Sequence, residues 1–188
     1  MERERSVLSS DSGGAPIRPG HEAFEHFYER EFSQVAALAY VLTGRRDVAE
    51  DLAQEAFMAA LRGWDRIAGY DKPGAWVRRV VANRAVSFRR RRLTELRSLP
   101  RLIGSAPHAP VDEMDAEASE VWAVVRALPR RQAQAVALRY LDDLPLNEIG
   151  EILGCSPGTV KTHLARARRR LGDVLGVQVV EEVGDDAG

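Results

Sequence analysis

The sequence predicts an all-α protein of two small helical domains joined by a flexible linker. Three observations carry this expectation. Apolar residues recur at three- and four-residue steps through most of the chain, and nowhere is there a sustained apolar-polar alternation of the kind a strand needs. One stretch, residues 97–117, holds three prolines and a glycine without a period, as a linker does. The 188 residues are 45% apolar and 29% charged, too apolar for a wholly disordered chain and long enough for one ordinary domain or two small ones.

The first helix is expected from His21 to Thr43, where Phe24, Phe27, Tyr28, Phe32, Val35, Leu38, Ala39 and Leu42 fall on one face and Gly44 closes the run. Val48, Leu52, Phe57, Leu61 and Trp64 describe a second helix ending near Gly69. A third begins at Asp71-Lys72-Pro73, where proline suits a first turn whose N–H has no intrahelical partner. It runs through Val77, Val81 and Phe88, taken as core, into Arg89–Arg92. Past the linker, Val121, Val124, Val125 and Leu128 mark a helix stopped by Pro129, and Ala133, Val136, Ala137, Tyr140 and Leu141 mark the next. Leu146, Ile149, Gly150 and Leu153 give a short helix. Gly154-Cys155 makes a turn, and Ser156-Pro157 starts a last helix to about Leu175 with a good cap and a first-turn proline. The domain boundaries so read are 1–20 as a flexible extension, 21–96, linker 97–117, 118–175, and an acidic tail 176–188.

Net charge is only -1, yet it is strongly segregated: residues 21–70 sum to -4, 71–103 to +8, 104–126 to -4, 127–172 to +4 and 173–188 to -5. Two basic blocks alternating with acidic ones are footprints for a polyanion, the acidic blocks restraining indiscriminate binding or meeting a basic partner. The longest apolar run, Val35 to Leu42, is eight residues, against about 20 for a membrane span. With no apolar leader in the first 20 residues, a cytoplasmic protein is expected. Cys155 is the one cysteine, which excludes an internal disulfide framework and leaves a buried structural thiol as the plainer reading beside a redox role. His21, His26, His108 and His163 share no metal-ligand spacing with Asp or Glu, and there is no phosphate loop, nucleophile elbow or Cys-His pair. Neither catalysis nor a cofactor or metal is expected.

In the last helix Val160, Leu164, Ala167, Leu171 and Val174 form the inward face, and Thr159, Thr162, His163, Arg166 and Arg170 the outward one, flanked by Lys161, Arg168 and Arg169. A short helix, a tight turn and a helix with such a face are the parts of a helix-turn-helix lying in a major groove. On the third helix Trp76, Val80, Asn83, Arg84 and Ser87 make an aromatic and polar stripe beside Arg78, Arg79 and the arginine run that includes Arg90. Amide, guanidinium and aromatic groups together suit unstacked bases of a single strand. Asp51, Gln54 and Glu55 form an acidic and amide edge beside Leu52 and Phe57, a docking edge for a basic helix or a solvated face.

These residues also carry a resemblance. ALPRRQAQAVALRYLDDLPLNEIGEILGCSPGTVKTHLARARRRL resembles the promoter-binding C-terminal domain of extracytoplasmic-function sigma factors, although its GTVK segment alone is shared with response-regulator output domains. AEDLAQEAFMAALRGWDRI and PGAWVRRVVANRAVSFRRRR resemble the sigma-factor domain that grips core RNA polymerase and opens the promoter, with wording similar to the actinobacterial SigE-like branch. The resemblance spans roughly 22–175. It implies an alternative sigma factor, in which Asp51, Leu52, Gln54, Glu55 and Phe57 meet the polymerase beta-prime coiled coil. Trp76, Arg79, Asn83, Arg84, Ser87 and Arg90 would meet the minus-ten element. Ser156, Thr159, Lys161, Thr162, His163 and Arg166 would meet the minus-thirty-five element, with the beta flap as a second polymerase contact. An anti-sigma factor is the further partner implied, and no membrane insertion is. His163 stands where the family often has Arg and lacks the fork that reads guanine; Pro145 stands where a capping Ser is common; Gly150 replaces a commoner Ala, at about 1 kcal/mol of helix propensity unless close packing needs it. The competing reading is a stand-alone helix-turn-helix regulator on duplex operators, which needs neither Asn83 nor the acidic edge.

Overall fold

The computed structural model describes residues 23–98 and 116–176. Residues 1–20, most of the linker and nearly all of the acidic tail lie outside them, as do the side chains of Arg90 and of residues 92–119. Eight helices and no strand are found among the described residues: α1 Phe24–Thr43, α2 Arg46–Arg62, α3 Trp64–Ile67, α4 Pro73–Ser98, α5 Ala116–Ala127, α6 Arg130–Tyr140, α7 Leu146–Leu153 and α8 Pro157–Leu175. None of them is long and apolar enough to cross a membrane.

The first four helices enclose an aromatic core. Ala49, Ala53, Ala56 and Ala60 recur along one side of α2 and are buried; side chains this small let another helix approach closely. Phe27 and Phe57 are buried with them, and Phe24, Tyr28, Phe32 and Trp64 pack around the same centre. The second helix expected up to Gly69 is two helices. Gly63 ends α2 in a non-helical conformation, and its N–H turns back to the carbonyls of Ala60 and Leu61 before α3 restarts.

In the second unit α6 is sheathed on nearly every side, with Gln132 through Leu138 buried. Tyr140, expected on its apolar face, is 57% exposed and receives a hydrogen bond from Arg168 Nε at 3.1 Å. Val174, expected inward on α8, is also exposed, because the helix runs past its neighbours after Leu171.

The two units are docked. α1 packs on α5 and α6, and α4 packs on α7. One core runs from Leu38, Val41 and Leu42 of α1 and Ala82 and Ala85 of α4 into Val125, Val136, Ile149 and Val160. Two helix ends are closed across this seam, where terminal carbonyls otherwise lack partners. Arg126 of α5 reaches the Val41 carbonyl near the end of α1 at 3.3 Å, and Arg79 of α4 reaches the last carbonyls of α7.

Candidate nucleic-acid interface

α8 begins as the sequence requires. Ser156 Oγ accepts the Thr159 N–H at 3.2 Å and shares a 2.9 Å hydrogen bond with the Thr159 hydroxyl, with Pro157 in the first turn. Val160, Leu164 and Ala167 bury the inner face. Gly154 caps α7 in the left-handed conformation (φ 69°) that glycine adopts without a Cβ penalty. Gly150 is explained by a close approach: a Cβ there would stand 2.7 Å from the Cys155 carbonyl oxygen, which is backbone. Pro145 precedes α7 and supplies no side-chain cap.

This frame leaves Ser156, Thr159, Lys161, Thr162 and Arg166 exposed together. Thr162 Oγ1 donates to the Gly158 carbonyl at 3.0 Å, so its hydroxyl is oriented by the helix itself. His163 is half-buried. Burial, then the charges of Arg131 and Arg166, hold its imidazole below the ordinary range. That shift favours the neutral imidazole, one donor and one acceptor, over the cation.

The α4 stripe is placed differently. Arg79 Nε donates to the Ile152 carbonyl at 3.0 Å and its Nη2 to the Glu151 carbonyl at 2.7 Å. Asn83 Oδ1 accepts from Arg130 Nη2 at 2.6 Å. Arg84 pairs with Glu55, joining a residue expected on DNA to one expected on polymerase. Ser87 Oγ donates back to the Asn83 carbonyl at 2.9 Å. Trp76 is half-buried against the first core and lines a hollow of about 600 Å³ with Tyr70, Lys72, Arg79 and Glu151. The Arg90 side chain is outside the described residues.

Along the α2 edge Asp51, Gln54 and Glu55 are exposed and Leu52 is half-buried. Phe57 requires a correction: it is 2% exposed, with the Tyr28 ring 5.0 Å away, and is a core residue rather than a surface one. The apolar groups this edge does present are Met58 and Leu61, both more than half exposed. They follow Gln54 by four and seven residues, a helical spacing visible in the sequence. Arg78 needs a second correction. Expected on the cationic surface, it is buried and holds Glu31 Oε2 at 2.6 Å, Gln34 Oε1 at 2.8 Å and Asp142 Oδ2 at 3.0 Å. No local pattern announces this cluster, because its members are 47, 44 and 64 residues from Arg78.

Sigma-70 region 2 matches residues 27–94 and sigma-70 region 4 matches 118–171, one on each helical unit. The chain is 30% identical over 160 residues to the ECF RNA polymerase sigma factor SigM of Mycobacterium tuberculosis, covering 82% of this chain and 78% of that one. The chain belongs to the extracytoplasmic-function sigma factors. This sigma factor is also 34% identical over 131 residues to the RNA polymerase sigma-E factor of Streptomyces avermitilis, covering 68% of this chain and 70% of that relative. Among solved structures, the sigma factor RpoE in complex with the anti-sigma factor NepR from Bartonella quintana aligns at TM-score 0.68 and 26% identity. That match covers 83% of this chain and 98% of the other. The protein is an alternative sigma factor that directs transcription initiation through DNA binding; the stand-alone regulator finds no support in these similarities.

Proposed function

We propose the following division of labour within this sigma factor. Residues 21–96 bind core polymerase and the minus-ten element, 118–175 bind the minus-thirty-five duplex, and 97–117 link them. Asp51, Gln54 and Glu55, extended by Met58 and Leu61, dock on the beta-prime coiled coil, with Leu52 and Phe57 supporting that edge from within. Asn83, with Arg79, Arg84, Ser87 and Arg90, engages melted minus-ten DNA around the hollow that Trp76 lines. Ser156, Thr159, Lys161, Thr162, His163 and Arg166 take the duplex, the early residues near base edges and Arg166 on phosphate. Its action is binding, in the cytoplasm, while polymerase forms the phosphodiester bonds; the beta flap and an anti-sigma factor are its other partners.

The observation that carries this reading is the exposed α8 face, where five of the six candidate residues stand together on a capped helix backed by a buried apolar side. The experiment is runoff transcription from a promoter library with core polymerase, with and without the protein. Specific transcripts are expected, abolished when Asp51 and Glu55 are both replaced. Asn83→Ala is expected to impair promoter opening with core binding intact; loss of core binding instead would give Asn83 a structural role. A protein that ignores core polymerase yet shifts duplex DNA would overturn the assignment.

A further inference from the structure

The acidic tail is the segment that the reading above leaves without a role. Residues 177–188 lie outside the described structure, but the end of α8 to which they attach does not. Thr162, Arg166, Arg170 and Val174 follow one another at four-residue steps and form one row along α8, every member exposed. The row begins among the duplex-facing side chains and ends on an apolar one. Val174 is 66% exposed, more than any other large apolar side chain among the described residues, and its neighbour Leu175 is 43% exposed. Gly176 then leaves the helix in the left-handed conformation (φ 66°), which turns the chain off the helix axis.

The cations of this row lack acidic partners. Elsewhere Arg45, Arg46, Lys72, Arg78 and Arg84 each meet a carboxylate. Among the described residues, Lys161, Arg166, Arg169 and Arg170 make no salt bridge, and Arg168 donates to the Tyr140 hydroxyl instead. Asp173, the one acidic residue of α8, makes none either. The sequence that follows supplies what the row is missing: Val177, Val179 and Val180 come first, then Glu181, Glu182, Asp185 and Asp186, with no Lys or Arg. Reach is sufficient. Val174 to Thr162 is about 18 Å along the helix, and residues 177–188 span about 40 Å when extended.

We propose that residues 177–188 dock back along this row of α8, the valines covering Val174 and Leu175 and the carboxylates lying over Arg170 and Arg166. The tail then competes with DNA phosphate for the same guanidiniums. The proposal rests on the assignment of the α8 face to duplex DNA. Exposed carboxylate-guanidinium pairs are individually weak, and the tether makes them count by raising their local concentration. Duplex DNA carries one charge per ~1.7 Å of its axis, a denser line of anions than the tail offers, so a duplex displaces it. Displacement subtracts the same free energy from every duplex complex. At a given protein concentration that empties most weak, non-specific complexes and leaves tight promoter complexes filled, so the tail acts as a filter.

The test places a nitroxide on Ala187→Cys in the full chain carrying Cys155→Ser. It is expected to broaden the amide signals of Arg166 to Arg170, and saturating random-sequence duplex is expected to restore them. No broadening on α8, broadening on α4 instead, or broadening that persists in the duplex complex overturns the proposal. Affinity for the same duplex at low and high salt is the second measurement. Glu181→Gln, Glu182→Gln, Asp185→Asn and Asp186→Asn together should raise it roughly fivefold or more at low salt, an effect that fades at high salt. Val177→Ser, Val179→Ser and Val180→Ser, which leave every charge in place, should raise it about twofold or more by undocking the tail. A valine variant equal to the parent, beside a neutralised tail that binds tighter, is long-range repulsion and overturns docking. Unchanged α6 and α7 amide signals show that region 4 is folded in each variant. Failure of the α8 assignment reads differently: no form of the chain then binds duplex, and the proposal ends with it.

Discussion

Phe57 separates a core residue from a contact residue on one helix. Replacing it with alanine removes a ring that is 2% exposed and lies 5.0–6.5 Å, centroid to centroid, from Tyr28, Phe27, Phe32 and Phe24. Truncating a buried phenylalanine costs about 3–5 kcal/mol, from lost transfer energy and the cavity left behind. Aromatic neighbours each contribute about 0.5–1.5 kcal/mol beyond burial, which favours the upper part of that range. Against a total stability of about 5–15 kcal/mol this is a large fraction. At about 2–4 °C per kcal/mol for a chain of this size, the melting temperature should fall by roughly 6–20 °C. Urea unfolding followed by tryptophan fluorescence reads it directly, since the Trp64 ring is 4.8 Å from Phe27 and 5.3 Å from Phe24 in the same cluster. Met58→Ala, at a 57% exposed position one residue on, should change stability by less than about 0.5 kcal/mol while weakening binding to core polymerase. An unchanged urea midpoint for Phe57→Ala together with lost core binding would refute the placement of this ring in the core.

Gly150→Ala should destabilise the chain by about 1–3 kcal/mol in urea unfolding, the backbone clash at Cys155 exceeding the gain in helix propensity; a more stable variant would show that the turn relaxes freely. Arg166→Ala should weaken duplex binding and lower the salt dependence of log K by about one phosphate's worth; an unchanged slope would remove Arg166 from the phosphate contacts. Burial, then the charges of Arg131 and Arg166, hold the folded-state pKa of His163 below its ordinary range, so the folded chain binds fewer protons there than the unfolded one. Its contribution to stability is complete above the unfolded value and is lost as pH falls through the folded one. Duplex affinity should be flat in this residue's contribution near pH 7 and rise on acidification as the imidazole gains charge, and His163→Asn should abolish that rise in a binding titration across pH.

Much of the region 4 half was legible because its determinants are local. Ser156 caps, Pro157 fits a first turn, Gly154 turns left-handed, and Val160, Leu164 and Ala167 repeat at helical spacing, all within a dozen or so residues. The α2 edge was legible only in part. Periodicity places Phe57 near the border between faces, and which way a border residue turns depends on the aromatic rings of α1, more than 20 residues away. Gly150 was visible as an oddity, but its reason is the Cys155 carbonyl folding back across the turn.

By itself, then, the sequence determined the helices apart from the break between α2 and α3, the caps at Gly44, Gly154 and Ser156, and the two cationic blocks, since helix spacing, capping and charge act between residues near one another in the chain. Tertiary structure alone decided what the cations touch. Arg78 looks like its neighbours in a basic run, yet it is buried among Glu31, Gln34 and Asp142, while Arg79 closes the end of a helix more than 70 residues away. A charge in a sequence has no direction, and only the packing of α4 against α1, α7 and the α6–α7 turn sets which oxygen it meets.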